Sequence, residues 1–363
     1  MKELKDYKNE VNKCSKCGLC ESICPLFKID PNDCVASKGK FIMLNGVIDG
    51  DLKLSKTINK YIDLCLKCGK CKGFCPSGID ICEILASAKH EYMKNKLSAK
   101  FINFIQSRLI FNNIIKIGEF LSAPFRPKYK HLNSNLPVVV YFKGCVNRIF
   151  PNTDKSLFKI LKHHPVKIVE PSFECCGLPF LSEGNLERFI QICKHNTDEL
   201  RKLNYDYLIT DCASCADTIS SYPKYLKDVE PLLNKSVNWG DFIAKENIKF
   251  RFKKPLKVTF HKPCHLENDA FFEDIMKNCD NVEYIKMKDY DSCCGLAGTF
   301  VIKNSKISQT LISQKAQNIM NANVDYVITT CPACILGLTK GLLGKKTKVI
   351  SLLDFLAMAD EII

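Results

Sequence analysis

Cys65-Leu66-Lys67-Cys68-Gly69-Lys70-Cys71-Lys72-Gly73-Phe74-Cys75-Pro76 spaces its cysteines C-x2-C-x2-C-x3-C-P, and Cys14, Cys17, Cys20, Cys24 and Pro25 carry the same spacing earlier in the chain. Three thiolates two residues apart can wrap one face of an iron–sulfur cube. The fourth, followed by proline, points away towards a second cube. The spacing therefore assigns Cys14, Cys17, Cys20 and Cys75 to one [4Fe–4S] cluster, and Cys65, Cys68, Cys71 and Cys24 to another. Zinc or disulfides are the competing readings, but zinc sites use two separated C-x-x-C pairs rather than a run of three plus one.

The chain has 363 residues, 46% of them hydrophobic, which is enough for two or three cored domains. Its 22 cysteines accompany a charged start, Met1 to Lys13, without the apolar core of a secretory leader. A reducing cytoplasm and metal ligation are thus expected rather than a disulfide framework. The net charge of +14 is compatible with nucleic acid, anionic lipid or an acidic protein as partner. The lysines are scattered and no nucleic-acid motif is present, so a solvated basic surface is expected, with no nucleic-acid partner.

Residues 1–98 form the segment with both cysteine runs. Residues 1–13 read as a short polar helix, Ala36-Ser37-Lys38-Gly39-Lys40 as a turn-like stretch, and Ser55 to Leu64 and Ile81 to Lys96 as helices. Residues 99–135 read as a linker whose core, 101–122, is an amphipathic helix. Arg108, Lys116 and Glu119 interrupt its apolar run, which argues against a membrane span. An interfacial helix resting on a membrane is the sharper alternative. Ala123-Pro124-Phe125-Arg126-Pro127 closes this segment.

From Leu136 the chain repeats itself, over 136–253 and 254–363. Val138-Val139-Val140-Tyr141-Phe142 and Lys257-Val258-Thr259-Phe260-His261 read as first strands, with Val166 to Val169 and Val282 to Ile285 as second strands. Tyr205 to Thr210 matches Val324 to Thr329, and Trp239 to Ala244 matches Leu352 to Ala357. Strands alternating with helices predict two small Rossmann-like α/β units with mostly parallel sheets, behind a helical N-terminal two-cluster domain, an α+β and α/β chain as a whole. Each repeat carries five cysteines in one order: Cys145, Cys175, Cys176, Cys212 and Cys215, then Cys264, Cys293, Cys294, Cys331 and Cys334. The gaps are 29, 35 and 2 residues in the first copy and 28, 36 and 2 in the second. Adjacent cysteines suit two metals sharing a bridging thiolate, and Gly177 and Gly295 would allow the turn that aims both sulfurs inward. Soft thiolates in such numbers select iron–sulfur or zinc, against the alternative of merely buried thiols. Cys34, Cys82, Cys193 and Cys279 lack such spacing and are given no role. His265, beside Cys264, is read as structural or as a hydrogen-bond donor.

The paired runs have the spacing of bacterial two-cluster ferredoxins. With Leu64-Cys65-Leu66-Lys67-Cys68, Cys75-Pro76-Ser77-Gly78-Ile79-Asp80 and Lys38-Gly39-Lys40, they resemble the iron–sulfur subunit of glycolate oxidase and related lactate dehydrogenases. The two repeats resemble the cysteine-rich CCG domains shared by that subunit and the catalytic subunit of heterodisulfide reductase. In the latter, both five-cysteine sets bind non-cubane [4Fe–4S] clusters that reduce a disulfide. The resemblance implies that Cys145, Cys175, Cys176, Cys212 and Cys215 form one ligand set, and Cys264, Cys293, Cys294, Cys331 and Cys334 the other. Glycolate oxidase-type subunits often lack part of these sets, whereas this chain keeps all ten cysteines.

No G-x-G-x-x-G follows a strand and no P-loop is present, so no flavin or nicotinamide site is readable. Hydride chemistry on a hydroxyacid needs such a cofactor. The resemblance therefore implies an electron-transfer subunit of a glycolate or lactate dehydrogenase, with a separate flavoprotein partner and quinone or another acceptor. The expected location is the cytoplasm, with peripheral contact on the inner face of the cytoplasmic membrane as an extension. The alternative is a heterodisulfide reductase-like subunit, and a third class is a redox sensor or scaffold with structural clusters.

Overall fold

The computed structural model describes residues 2–94, 136–149, 152–162, 164 and 166–363. The linker helix expected over 101–122, and its proline-rich end, lie outside the described residues. The chain divides into two compact units. One comprises Met1–Ser107, Pro179–Phe189 and Gly295–Leu311; the other comprises Arg108–Leu178, Ile190–Cys294 and Ile312–Ile363.

The first unit is helical. A 3-10 turn over Leu4–Tyr7 runs into a helix at Lys8–Asn12, and longer helices span Ser37–Asp49, Lys56–Asp63 and Ile81–Lys94. Ser55 caps the second of these long helices: its hydroxyl accepts from the Ile58 amide at 3.3 Å, satisfying one orphan donor of the first turn. Apolar side chains at helical spacing, among them Ile58, Ile62, Ile81, Ile84, Leu85 and Ala88, close the core against Leu4 and Tyr7. The stretch Ala36 to Lys40 is not a turn. Ala36 is extended and the helix begins at Ser37. Gly39 is needed for close approach instead, since a Cβ there would lie 2.2 Å from the Asp33 carbonyl oxygen. Lys40 is 2% exposed and donates to the Val35 carbonyl.

The second unit contains two sheets of the same order. In the first sheet, β1 (Val138–Tyr141), β2 (Lys167–Val169), β3 (Tyr207–Thr210) and β4 (Ser236–Asn238) run β2-β1-β3-β4, all parallel. In the second, β5 (Phe250–Phe260), β6 (Cys279–Tyr284), β7 (Tyr326–Thr329) and β8 (Lys348–Ser351) run β6-β5-β7-β8, again parallel. A short β9 (Glu361–Ile362) adds to β5 antiparallel, so the second sheet is mixed. The inner strands β1, β3 and β7 are buried over their last three residues, as parallel sheets covered by helices require, while the outer strands β2, β4, β6 and β8 are only partly buried. The two sheets share one core: Tyr141, Trp239 and Phe242 of the first repeat lie in the same cluster as Phe260, Phe271 and Phe355 of the second. Polar ties join the repeats too, with Ser156 Oγ donating to Asp354 Oδ1 at 2.6 Å and Lys159 Nζ to Ala357 O at 2.7 Å. Stacked repeats bury faces that neither could bury alone.

Candidate metal centres

The fold delivers cysteines to strand ends. β1 leads to Cys145, β3 to Cys212, β5 to Cys264 and β7 to Cys331, while the adjacent pairs follow β2 and β6. Parallel α/β sheets bind ligands beyond the carboxyl ends of their strands, where helix N-termini and loops converge. Cys212 and Cys331 sit at the N-caps of the helices Ala213–Ser220 and Pro332–Gly341, in extended conformation, so that the second cysteine of each C-x-x-C falls in the first helical turn. Gly177 and Gly295 have φ of +91° and +87°. That left-handed conformation is strained for a residue with a Cβ, and it is what turns the chain directly after each cysteine pair.

Each set assembles in the same way. Cys145 hydrogen-bonds Cys175, Cys175 meets Cys176, Cys176 meets Cys215, and Cys215 meets Cys212. In the second set Cys264 meets Cys293, then follow Cys294, Cys334 and Cys331. Cys212 and Cys331 touch each other across the repeats, so all ten sulfurs form one continuous array. Cys176 collects thiol hydrogen bonds from Cys175 and Cys215, which hold it well below the ordinary thiol value. Cys293 and Cys334 do the same to Cys294. Cys212 and Cys334 likewise hold Cys331 well below the ordinary thiol value, and the thiolate is the form that binds metal. Most of these cysteines are buried: Cys175, Cys176, Cys215, Cys293, Cys294, Cys331 and Cys334.

The surroundings add groups that spacing did not reveal. His261 is fully buried, neither ring nitrogen has a hydrogen-bond partner of good geometry, and it lies with Cys294 and Cys334 so that the three ligand atoms are within 4.8 Å of one another. Asp211, next to Cys212, accepts from Tyr141 Oη at 2.8 Å and from Asn147 Nδ2 at 2.5 Å, and burial pushes its carboxyl up to about 7. His265 Nδ1 lies 2.5 Å from Asp217 Oδ2. Cys193, beside Cys176, is buried in the helix Leu186–Arg201, and desolvation raises its thiol. A pocket opens beside Cys331 between the repeats, lined by Asp211, Trp239, Leu266, Thr330 and Leu353.

In the first unit, Cys14, Cys17, Cys20 and Cys75 line one cavity, with Cys71 in its wall. Cys24 lies near Cys65 and Cys71, with the buried ammonium of Lys40 beside all three. Each crossing fourth cysteine thus stands with the opposite run, Cys75 with the first and Cys24 with the second. Cys82 is held near Cys65, Cys68 and Cys71, and burial raises its thiol well above the ordinary value. Its position in the first turn of Ile81–Lys94 brings it there; the sequence offered only its closeness to Cys75 as a signal. Cys34 is half-buried and Cys279 buried at the start of β6, neither within these sets.

The donors fit iron–sulfur clusters: soft thiolates in two sets of four, the first of which lines a cavity, and two sets of five with adjacent pairs. Among the described residues no helix is long and apolar enough to cross a membrane.

A 4Fe-4S dicluster domain matches residues 10–79, and a Cysteine-rich domain matches twice, at 139–220 and 258–339. An uncharacterized iron-sulfur protein of Methanocaldococcus jannaschii is 28% identical over 74% of this chain and 55% of its own length. A fumarate reductase (CoM/CoB) subunit from Methanothermobacter marburgensis is 28% identical over 81% of this chain and 61% of its own. The chain therefore spans a little over half the length of these relatives. A probable glycolate oxidase iron-sulfur subunit of Bacillus subtilis is 22% identical over 99% of this chain and 98% of its own length. A hypothetical protein from Helicobacter pylori shares the fold with a TM-score of 0.53 at 11% identity, over 96% of this chain and 77% of that one. The two domain types together support several [4Fe–4S] clusters in one chain. The chain belongs to the iron–sulfur proteins that join a 4Fe-4S dicluster domain to two cysteine-rich domains.

Proposed function

We propose that this chain is the electron-transfer subunit of a flavin-dependent 2-hydroxyacid dehydrogenase, serving glycolate or lactate oxidation on a separate flavoprotein and passing electrons towards quinone. The observation that carries this reading is the union, in one chain, of two four-cysteine sets and two five-cysteine sets, in a chain that aligns with the Bacillus subtilis protein over 99% of its own length and 98% of that protein's. Iron–sulfur clusters, when bound, accept and release single electrons, which is how the electron pair from a flavin is divided. The chain's own residues do the rest. Cys14, Cys17, Cys20 and Cys75, and Cys65, Cys68, Cys71 and Cys24, hold the two cubanes; the ten repeat cysteines hold the further clusters. The Lys40 ammonium, buried beside Cys24, Cys65 and Cys71, offsets the negative charge of their thiolates. Affinity capture of the full chain from native cells should recover a flavoprotein, and the isolated chain should not oxidise glycolate or lactate with a dye acceptor. Oxidation by the chain alone would overturn the proposal.

A second reading, a heterodisulfide reductase-like subunit, is favoured by the unbroken array of ten sulfurs meeting at Cys212 and Cys331. It requires that the chain, supplied with a one-electron donor, reduce a disulfide. The first reading requires that it reduce none.

A further inference from the structure

The two five-cysteine sets are alike in sulfur but not in what surrounds them. Aligning the repeats on Cys145 and Cys264 pairs Phe142 with His261 and Val146 with His265; aligning them on Cys212 and Cys331 pairs Asp211 with Thr330. The buried faces of the helices Leu186–Arg201 and Ser305–Asn321 align as well. Phe189 matches Ser308, Ile192 matches Leu311, Cys193 matches Ile312, and Asn196 matches Lys315. Three of these exchanges, Phe142 to His261, Asp211 to Thr330 and Asn196 to Lys315, run in one electrical direction; Arg148, which acts on Cys145, pairs with Glu267 and runs the other way. The first set has a phenyl ring packed on Phe173 at 4.9 Å, a carboxyl, and an amide that donates to Cys175 O and Tyr222 Oη, both at 3.1 Å. The second has an imidazole, a hydroxyl and an ammonium.

Lys315 is 1% exposed. Its ammonium donates to Asp289 O at 2.6 Å, Tyr290 O at 3.0 Å and Ser292 Oγ at 3.3 Å, all neutral oxygens on the loop leading into Cys293 and Cys294. A buried ammonium is costly unless negative charge stands nearby; Asp291 supplies one such charge, and the sulfurs of Cys294, Cys264 and Cys293 stand near it as well. His261 is fully buried and its ring lies against the Cys294 sulfur, with Cys334 close by. A second set that carries more negative charge than the thiols alone would strengthen both contacts.

We infer that His261 and Lys315 make the second five-cysteine set the more readily reduced of the two, so that an electron entering the pair settles there. The inference rests on the reading that both sets hold iron–sulfur clusters. An N–H donor to sulfur and a nearby cation stabilise the state with one more electron, and these are the levers that set cluster potentials. The step is the transfer of one electron from an iron–sulfur or flavin donor; no bond forms or breaks and no proton moves. His261 and Lys315 act through the sulfurs and are positioning residues.

The test is a dithionite titration of the anaerobically purified full chain, followed by electron paramagnetic resonance. Cys176→Ser and Cys294→Ser identify which signal belongs to which set. In the wild type, the signal lost in Cys294→Ser should appear first on reduction. His261→Phe and Lys315→Asn, which install the residues of the first repeat, should each lower the reduced-to-oxidised ratio of that signal tenfold at fixed potential, about 59 mV for one electron. The other signal should not move, and Phe142→His should shift it the opposite way. Unmoved midpoints with iron retained, or earlier reduction of the first set, would overturn the inference. If His261→Phe loses iron, Lys315→Asn against Lys315→Arg decides; loss of iron in both makes the residues structural and ends the inference. If the wild type holds only the iron of the two cubanes, the cluster reading fails with it, and the iron count tells this case from the others.

Discussion

The ammonium of Lys89 lies 2.8 Å from Glu183 Oε2, with the two side chains only 3% and 10% exposed. The same carboxylate accepts from Lys303 Nζ at 2.6 Å and from the Thr299 hydroxyl, while Asp63 takes a further bond from Lys89. Lys89 belongs to the helix that follows the second cysteine run. Glu183 and Lys303 belong to the short segments that follow each adjacent cysteine pair. One buried carboxylate thus pins three parts of the first unit.

Removing that carboxylate leaves two ammonium groups short of their partner. Glu183→Ala should therefore cost about 3–5 kcal/mol in denaturant unfolding, and Glu183→Gln less, because the amide can still accept. Burial alone would raise the Glu183 carboxyl, but Lys89, Lys303 and Thr299 outweigh it and hold it down to about 2. A folded value below the unfolded 4.5 means that the contribution is complete above about pH 5 and is lost as pH falls towards 2. Stability of the wild type should fall through that window, and the slope should shrink in Glu183→Gln. An equal slope in both proteins would refute the assignment.

The anaerobically purified chain should hold about eight iron atoms on its two cubanes, and more when the repeats are loaded. Cys68→Ser should remove one cubane signal by electron paramagnetic resonance, since a hydroxyl is a poor substitute for a soft thiolate. Tightly bound zinc in place of iron would refute the cubane reading.

Cys176→Ser and Cys294→Ser should each remove iron from one repeat while leaving the far-ultraviolet dichroism and the cubane signals in place. The reason is that the sheets around Val139 and Val258 are held by the shared aromatic core rather than by the cysteines. These substitutions are better made in the full chain than by cutting before Leu136, because residues 179–189 and 295–311 belong to the first unit. Unchanged iron in both variants would show that the repeats hold no cluster.

Gly177→Ala and Gly295→Ala should each destabilise by about 1–2 kcal/mol, the cost of a Cβ in the left-handed region, and should lower the iron bound by the affected set. Thermal unfolding gives the first quantity and iron analysis the second. Full iron loading at wild-type stability would show that the turn tolerates a side chain.

Local regularity carried the sequence reading where it succeeded. The helix capped by Ser55, the strands ending before Cys145, Cys212 and Cys331, and the turn glycines after each cysteine pair are all set by spacing, capping and backbone freedom. The stretch around Gly39 misled it, because glycine suggests a turn, and the constraint is instead the backbone of Asp33 packed against the helix. The strands β4 and β8 went unread, being short and only partly buried, with little pattern to mark them.

Ligand type is a matter of the sequence alone: thiolates at fixed separations specify soft metals and the number that each set can hold. What surrounds those thiolates is not. Phe142 and His261 occupy the same place in two repeats, and Asn196 and Lys315 another, yet nothing in the local sequence says that His261 and Lys315 lie near sulfur. Their helices and strands had to pack before an imidazole and an ammonium could come to lie beside Cys294. The contact of Cys212 with Cys331, and the ion pairs at Glu183, likewise join residues far apart in the chain. Only burial of the shared apolar faces brings such residues together, and burial is also what gives their charges weight, because the surrounding water is gone.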